Sequence, residues 1–284
     1  DVRSAIAWVW FIFLVPALGA VAYALFGISR IRVRAAELRP RRLHPPPPHP
    51  AASIRPAPEH TPPHVRLVDE VSRRPRHPGN RIEPLDGGDL AYPAMLEAIA
   101  AARRSVLLQT YIFDHDPAGE RFADALVDAG RRGVEVRVLV DAVGARYSRR
   151  SMVAALARRG VDARVFLPTL LPWRYPYANL RNHRKILVVD GAVGFTGGMN
   201  VRAGCWRALE PAHPIRDVHF RVEGPVVAQL VDVFAEDWAF TTRRYLEGDA
   251  FFPTLRPRGD VVARVIPDGP DENLYKLRWT LLGA

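Results

Sequence analysis

Two residue types are scarce in this chain of 284 residues, and each scarcity is informative. The single cysteine, Cys205, excludes an internal disulfide and any metal cluster built on several cysteines. Lysine is nearly as rare, because Lys185 and Lys276 are the only lysines among 40 Lys and Arg residues. A chain that uses arginine almost everywhere else suggests that the compact ammonium group itself is needed at position 185.

Acidic residues are also in the minority, which leaves a net charge of +10 and a pI near 10.4. Such a charge predicts attraction to polyanions, either nucleic acid or the anionic face of a membrane. The hydrophobic fraction of 48% and the charged fraction of 25% are typical of a globular protein with a substantial core. The length allows one large domain or two ordinary ones.

Long apolar runs are absent except for one, Ala5–Ile28, which contains no charged residue. A helix of this length would measure about 36 Å, enough to cross a hydrocarbon core of about 30 Å. Six arginines follow it between Arg30 and Arg42, against Arg3 alone before it, so the positive-inside rule places the rest of the chain in the cytoplasm. We therefore predict a transmembrane helix within residues 1–30, with a kink at Pro16, rather than a shorter secretory signal.

Residues 31–80 are rich in arginine and proline and predict an extended cytoplasmic linker. Its four irregularly spaced histidines between His44 and His64 are typical of a solvated linker rather than a metal site. We expect no metal and no cofactor.

Residues 81–258 alternate between helical and strand patterns and predict one α/β lobe, a mixed, mostly parallel sheet flanked by helices. The predicted helices are Leu90–Arg104, Gly119–Gly133, Ser148–Gly160 and about Pro225–Tyr245, and the predicted strands include Ser105–Phe113, Val134–Asp141 and Asp217–Glu223. Residues 259–284 repeat the pattern with which the first lobe begins, because Val262–Ala284 resembles Arg81–Arg103. We therefore expect the start of a second, truncated lobe there.

The stretch "NHRKILVVDGAVGFTGGMN", Asn182–Asn200, is typical of a hairpin, because Asp190-Gly191 separates two apolar runs. If these two residues alone form the loop, one face of the hairpin presents His183, Lys185, Thr196 and Asn200, with Gly198 opposite His183. A longer loop would shift this register.

Such a face suits a phosphate group. Lysine supplies a point charge, asparagine supplies N–H donors, and histidine attacks phosphorus or moves protons. A histidine nucleophile also needs a carboxylate to hold one tautomer, and Asp217 is the candidate. On these residues alone, a structural histidine on a strand remains an alternative, and Asp190 reads as a turn residue.

The spacing His183-x-Lys185-x4-Asp190-x6-Gly197-Gly198-x-Asn200 resembles the HKD motif of the phospholipase D superfamily. Gly198, where the motif usually has serine, resembles bacterial cardiolipin synthases. Further segments also resemble that family: "YIFDHDPAGERFADALVDAGRRGVEVRVLVDAVGARYS", "LRNHRKILVVDG", "IRDVHFRVEGP" and "VFAEDWAF".

The resemblance implies a phospholipase D-like lobe in which His183 attacks a phosphodiester and forms a phosphohistidine. The roles it implies are phosphate binding for Lys185, Gly198 and Asn200, orientation of His183 for Asp217, and a structural role for Asp190. The implied reaction makes cardiolipin from two phosphatidylglycerols and releases glycerol. The implied partners are phosphatidylglycerol, other anionic phospholipids and the membrane, and the implied location is the bacterial inner membrane with the catalytic domain in the cytoplasm.

Members of the superfamily use two HKD motifs, and this chain has one. Neither His213 nor His219 is followed by x-Lys. We therefore expect a second lobe, from a missing C-terminal part or from a second chain, and little activity without it.

The alternatives are a phospholipase D that uses water as acceptor, a superfamily nuclease, and a non-catalytic membrane protein. The predicted transmembrane helix and the arginines that follow it argue against nucleic acid as a partner. The intact motif argues against a non-catalytic protein.

Overall fold

The computed structural model describes residues 2–23, 62–72, 74–147, 150–168, 182–267 and 276–282. Its helices are α1 (Val2–Leu14), α2 (Pro16–Ala22), α3 (Pro63–Ser72), α4 (Gly88–Ala101), α5 (Pro117–Arg131), α6 (Met152–Arg158), α7 (Val227–Thr242) and α8 (Lys276–Leu282). Its strands are β1 (His77–Asp86), β2 (Ser105–Thr110), β3 (Glu135–Asp141), β4 (Asp162–Phe166), β5 (Ile186–Val189), β6 (Val193–Gly197), β7 (Val218–Glu223) and β8 (Val261–Ala263).

The N-terminal apolar run forms two short helices, α1 and α2, which break at Val15 beside Pro16. A Cβ at Gly19 would lie 2.7 Å from the Cα of Ile12, so α2 folds back against α1. Within the described ranges, none of the helices combines the length and apolar character needed to span a membrane. The last five residues of the predicted span, 24–28, lie outside those ranges.

The sheet is mixed, but it is not mostly parallel as the sequence pattern predicted. Among the described residues, eight strands form one sheet in the order β4-β3-β2-β5-β6-β7-β1-β8. Only β2 with β3 and β3 with β4 pair in parallel, and the other neighbours pair antiparallel. The reason lies in the connections: α5 and α6 are crossover helices between the first strands, whereas a short loop joins β5 to β6.

Helices cover both faces of the sheet, as predicted. One face carries α4, α5 and α6, whose Tyr92, Phe122 and Leu156 belong to a core with Val106 and Leu108 of β2. The other face carries α7 and packs against the alternate residues of the same strands. That second core includes Leu107, Leu139, Val188, Phe234 and Trp238. Burial on both sides explains why the central strands are continuous apolar runs rather than alternating ones.

The flanking segments add to this sheet. Within the stretch predicted as linker, α3 and the first residues of β1 are formed. From the stretch predicted to begin a second lobe, β8 pairs with β1 through Asn80 and Val261. The assignment of residues 259–284 to a second lobe stays a prediction.

The hairpin that carries the HKD-like motif has a three-residue loop, Asp190 to Ala192, instead of the two residues first assumed. Asp190 and Gly191 adopt left-handed φ values of 51° and 62°, and Val189 pairs with Val193. Every later pair therefore shifts by one residue, so that Thr196 faces Ile186. The Thr196 hydroxyl donates to the Lys185 carbonyl at 2.9 Å and does not join the site face.

The Asp190 carboxylate ties this loop to the turn between α4 and β2. The backbone N–H groups of Arg103, Arg104 and Ser105 all donate to it at 2.7–3.1 Å, and the Asp190 N–H donates to the Ser105 carbonyl at 2.8 Å. These contacts are those of a structural residue. They fix the far end of the hairpin relative to β2.

We predict that Asp190→Asn lowers the free energy of unfolding by about 1–3 kcal/mol, because an amide accepts these three backbone bonds less well than a carboxylate. Asparagine tolerates the left-handed backbone, so the change isolates the hydrogen bonds. Urea unfolding measures the effect. The exposed Asp260 supplies the control, and a loss of similar size in Asp260→Asn would contradict the assignment.

Candidate active site

The candidate site lies at the edge of the sheet where the parallel strands β2 and β3 end. Because β5 runs antiparallel to β2, its first residue, Ile186, pairs with Gln109 near the end of β2. Residues 182–185 therefore lie beside Tyr111, which follows β2, and Asp141, which ends β3. The carboxyl edge of parallel strands is the usual position of a ligand site in an α/β sheet.

His183 is exposed to solvent and packs against an aromatic ring. Its imidazole lies 4.1 Å from the ring centroid of Tyr111, at an interplanar angle of 42°. Partial burial and the charge of Lys185 lower the pKa of His183, while the Asp141 carboxylate opposes that shift. The imidazole is therefore neutral at neutral pH, which leaves a ring nitrogen able to act as a nucleophile or a base.

Lys185 holds its ammonium group next to this imidazole. Its Nζ donates to the His183 carbonyl at 2.6 Å and lies 5.7 Å from the centroid of the Tyr111 ring. Burial lowers the pKa of Lys185, and the Asp217 carboxylate opposes the shift. The structure thus brings His183 and Lys185 together, as their spacing predicted.

Asn200 is fixed by its side-chain oxygen, which accepts from the Ile112 N–H at 3.0 Å. A backbone donor requires the oxygen at that position, so the two N–H bonds of the amide point elsewhere and remain able to donate to an anion. The Tyr92 hydroxyl donates to the Asn200 carbonyl and secures the backbone as well. Through Ile112, Asn200 also holds the segment that carries Tyr111.

Gly198 makes room for the Asp217 carboxylate. A Cβ at position 198 would collide with both carboxylate oxygens of Asp217, one of which accepts from the Val218 N–H at 2.7 Å. The hydrogen bonds of the described residues do not join Asp217 to His183, and its charge acts instead on Lys185. The orienting role of Asp217 toward His183 stays a prediction.

Three residues of the site were missed from the sequence: Tyr111, Asp141 and His219. Asp141 is 1% exposed and accepts from the backbone N–H groups of Val143 and Asn182 at 2.8 and 3.1 Å. Its position at the end of a parallel strand was a usable signal, because neighbouring strand ends meet at one edge. Tyr111 offered a similar signal, since it directly follows the neighbouring strand β2.

His219 faces Gly197 across β6 and β7 and is 1% exposed. A Cβ at Gly197 would lie 2.7 Å from the His219 Nδ1, so the glycine leaves space for the imidazole. That Nδ1 has no hydrogen-bond partner within the described parts of the chain. Burial and the charge of Lys185 lower the pKa of His219 to about 4. A neutral imidazole beside Lys185 leaves the lysine as the local positive charge.

His219 makes stability depend on pH. Above its ordinary pKa of 6.5 the histidine is neutral whether folded or not; between 6.5 and 4 the unfolded chain binds the proton first, which destabilises the fold. Over this window, the free energy of unfolding should fall by up to about 3 kcal/mol more in the wild type than in His219→Gln. Denaturant titrations at pH 4, 5, 6 and 7 measure the difference. Parallel curves for the two proteins would show that folding does not shift the pKa of His219.

No group of three or more His, Cys, Asp or Glu residues in the described part of the chain is placed to hold a metal ion. The motif supplies an imidazole and an ammonium group beside Tyr111, and an amide whose oxygen accepts from the next residue, Ile112. These groups suit the charge and the hydrogen-bond acceptors of a phosphodiester.

The fold and the motif define a phospholipase D-like lobe, and comparison with known proteins identifies its family. A family model described as "Cardiolipin synthase, PLD-like domain" matches residues 95–238, just over half of the chain. The match includes the whole parallel part of the sheet, the HKD-like hairpin and most of α7. The chain belongs to this family of cardiolipin synthase PLD-like domains.

The similar relatives are bacterial. Cardiolipin synthase 1 of Bacillus anthracis is 29% identical over 99% of this chain and 58% of its own length. Cardiolipin synthase A of Pseudomonas aeruginosa is 33% identical over 84% of this chain and 51% of its own length. The chain thus spans about half the length of the curated relatives it matches.

Solved structures with similarity include Nuc, a phospholipase D family member from Salmonella typhimurium, and NucT from Helicobacter pylori. Nuc is 21% identical, with 61% of this chain and all of that chain covered, at a TM-score of 0.43. NucT is 16% identical, with 58% of this chain and 98% of that chain covered, at a TM-score of 0.44. With both TM-scores below 0.5, the family assignment rests on the sequence match.

Proposed function

We propose that this chain is one lobe of a membrane phosphatidyltransferase and that this lobe carries the nucleophile. The complete enzyme makes cardiolipin from two molecules of phosphatidylglycerol. The observation that carries the proposal is the exposed His183 imidazole packed on the Tyr111 ring, with the Lys185 ammonium group bonded to the His183 carbonyl. The family to which the chain belongs supports this choice of substrate.

The first step is attack by an imidazole nitrogen of His183 on the phosphorus of phosphatidylglycerol. A nitrogen–phosphorus bond forms, the bond from phosphorus to the glycerol oxygen breaks, and glycerol leaves with a proton. Lys185 and the Asn200 amide offset the charge on the phosphate oxygens. Gly198 leaves room for Asp217, whose charge acts on Lys185. A second phosphatidylglycerol then attacks with its terminal hydroxyl, which releases His183 and completes cardiolipin.

The protonation of glycerol requires a general acid, and activation of the incoming hydroxyl requires a base. We assign both to the histidine of a second HKD motif, in the remainder of a longer protein or in a second copy of this chain. Because the relatives are about twice as long as this chain, the activity belongs to the complete protein in this proposal. The lobe alone should turn over slowly or not at all.

Association with the membrane is part of the proposal. The α1–α2 hairpin exposes large apolar side chains, among them Trp10, Phe13 and Leu18 at 60–78% exposure. Contact with lipid would remove this apolar surface from water. The positive charge of the six arginines between positions 30 and 42 would favour anionic lipids. We place the protein at the bacterial inner membrane with its catalytic lobe on the cytoplasmic side.

We predict that His183→Ala lowers the rate of cardiolipin formation at least about 1000-fold, because the covalent step loses its nucleophile. The full-length protein is incubated with phosphatidylglycerol vesicles, and cardiolipin and glycerol are measured by mass spectrometry. The matched control is His213→Ala, since His213 is an exposed histidine away from these contacts, and it should stay within about twofold of wild type.

The products separate the alternatives. Phosphatidic acid without cardiolipin would identify a phospholipase D that uses water. Unchanged lipid together with cleavage of an added oligonucleotide would identify a phosphodiesterase of the nuclease type. Cardiolipin formed at the wild-type rate by His183→Ala would contradict the assignment of the nucleophile.

A further inference from the structure

The backbone ladder of the sheet does not reach the segment that carries His183. Pairing between β2 and β5 ends at Gln109 and Ile186, so residues 182–185 lie beyond the ladder in the described structure. A nucleophile that is misplaced by about 1 Å loses up to about 100-fold in rate. Some other contact must therefore fix the position of His183.

That contact is a buried carboxylate on the opposite face of the sheet. Asp237 of α7 accepts three side-chain hydrogen bonds at a single oxygen, Oδ2. The donors are Asn182 Nδ2, Arg184 Nη1 and Gln109 Nε2, each at 2.6 Å. Asn182 and Arg184 are the two neighbours of His183, so the carboxylate secures the segment on both sides of the imidazole.

The backbone of the segment is tied as well. The Asn182 N–H donates to Asp141 Oδ2 at 3.1 Å, and the Arg184 N–H donates to Asn182 Oδ1 at 3.1 Å. The side chains of Asn182 and Arg184 point toward α7. The His183 side chain, which lies between them, therefore points to the opposite face of the sheet. This is the alternation expected for an extended segment, where residues i and i+2 share a side.

The Asp237 carboxylate is itself held rigidly by its surroundings. Asp237 is 8% exposed, and its partners Asn182 and Gln109 are 5% and 2% exposed. It precedes Trp238, which is 1% exposed in the core between α7 and the sheet. Hydrogen bonds to a buried carboxylate are strong and directional, so α7 defines where this segment can lie.

We infer that Asp237 is a positioning residue for His183. It lies on the face of the sheet that α7 covers, and through Asn182 and Arg184 it sets the position from which the imidazole attacks. The chemistry it serves rests on the proposed function, whereas the positioning rests on the contacts alone. Asp237 touches neither substrate nor the reacting nitrogen, so its effect should appear in kcat rather than in KM.

The test compares Asp237→Asn with a control on the same helix in the full-length protein. Gln229 is 4% exposed and bonds Pro75 and Val265, away from the motif, so Gln229→Leu breaks buried hydrogen bonds without touching it. We expect kcat for cardiolipin formation to fall about 10- to 100-fold in Asp237→Asn, with KM nearly unchanged. Gln229→Leu should stay within about threefold of wild type at a temperature where both variants are folded.

A second readout does not depend on lipid turnover. Diethyl pyrocarbonate modifies neutral imidazole, so its rate of reaction with His183 against pH, followed by mass spectrometry, gives the pKa of that residue. His183 faces Lys185, Asp141 and Tyr111, and its pKa is lowered in this position. In Asp237→Asn the rate of reaction of His183 and its dependence on pH should change, and in Gln229→Leu they should not.

These readouts separate the two proposals. A wild type that makes no cardiolipin would overturn the proposed function, while the reactivity of His183 would still test the positioning. A folded Asp237→Asn with an unchanged reactivity of His183 and an unchanged kcat would overturn the inference. Equal kcat losses in Asp237→Asn and Gln229→Leu, with His183 unchanged in both, would also overturn it, because the role would then be structural only.

Discussion

The antiparallel pairing of β5 with β2 is the contact on which the site depends. It joins the parallel half of the sheet to the antiparallel half, and it brings residues 182–185 to the edge where β2 and β3 end. Asp190 secures the far end of this pairing against the turn before β2. At the near end, Asp237 gathers the residues on both sides of His183. Each end of the hairpin is thus held by its own carboxylate, Asp190 or Asp237, which accepts hydrogen bonds from several donors.

The electrostatics of the site centre on one lysine. Burial penalises its charge, and Asp217 offsets part of that penalty, while the neutral His183 and His219 add no competing positive charge. An ammonium group that is partly desolvated attracts a phosphate more strongly than one in water. The scarcity of lysine in the chain is consistent with a specific need at position 185, and the glycines at 197 and 198 allow His219 and Asp217 to approach it.

Much of this could be predicted from sequence, and the failures have identifiable causes. The helices on both faces followed from apolar periodicity, and His183 with Lys185 followed from their spacing. The antiparallel pairing of β5 with β2, and of β7 with β6 and β1, could not be predicted, because an apolar run does not indicate whether its neighbour is parallel. The hairpin register was wrong by one residue, because loop length depends on the left-handed conformation of both Asp190 and Gly191. Thr196 consequently lies away from the site.

The contacts that cross the sheet were invisible to sequence reasoning. Asp237 lies 53 residues from Arg184 along the chain, and nothing in its helical pattern distinguishes it from a solvent-facing acid. Tyr111 and Asp141 meet His183 only because three strand ends converge at one edge.

The central claim is that His183 is the nucleophile, and capture of its covalent intermediate tests it most directly. Full-length protein is mixed with phosphatidylglycerol, quenched in alkaline denaturant to preserve phosphohistidine, digested and analysed by mass spectrometry. The account predicts a phosphatidyl group on the peptide that contains His183, and none on that peptide in His183→Gln. A phosphatidyl group on another residue, or turnover to cardiolipin with unmodified His183 at every quench time, would contradict it.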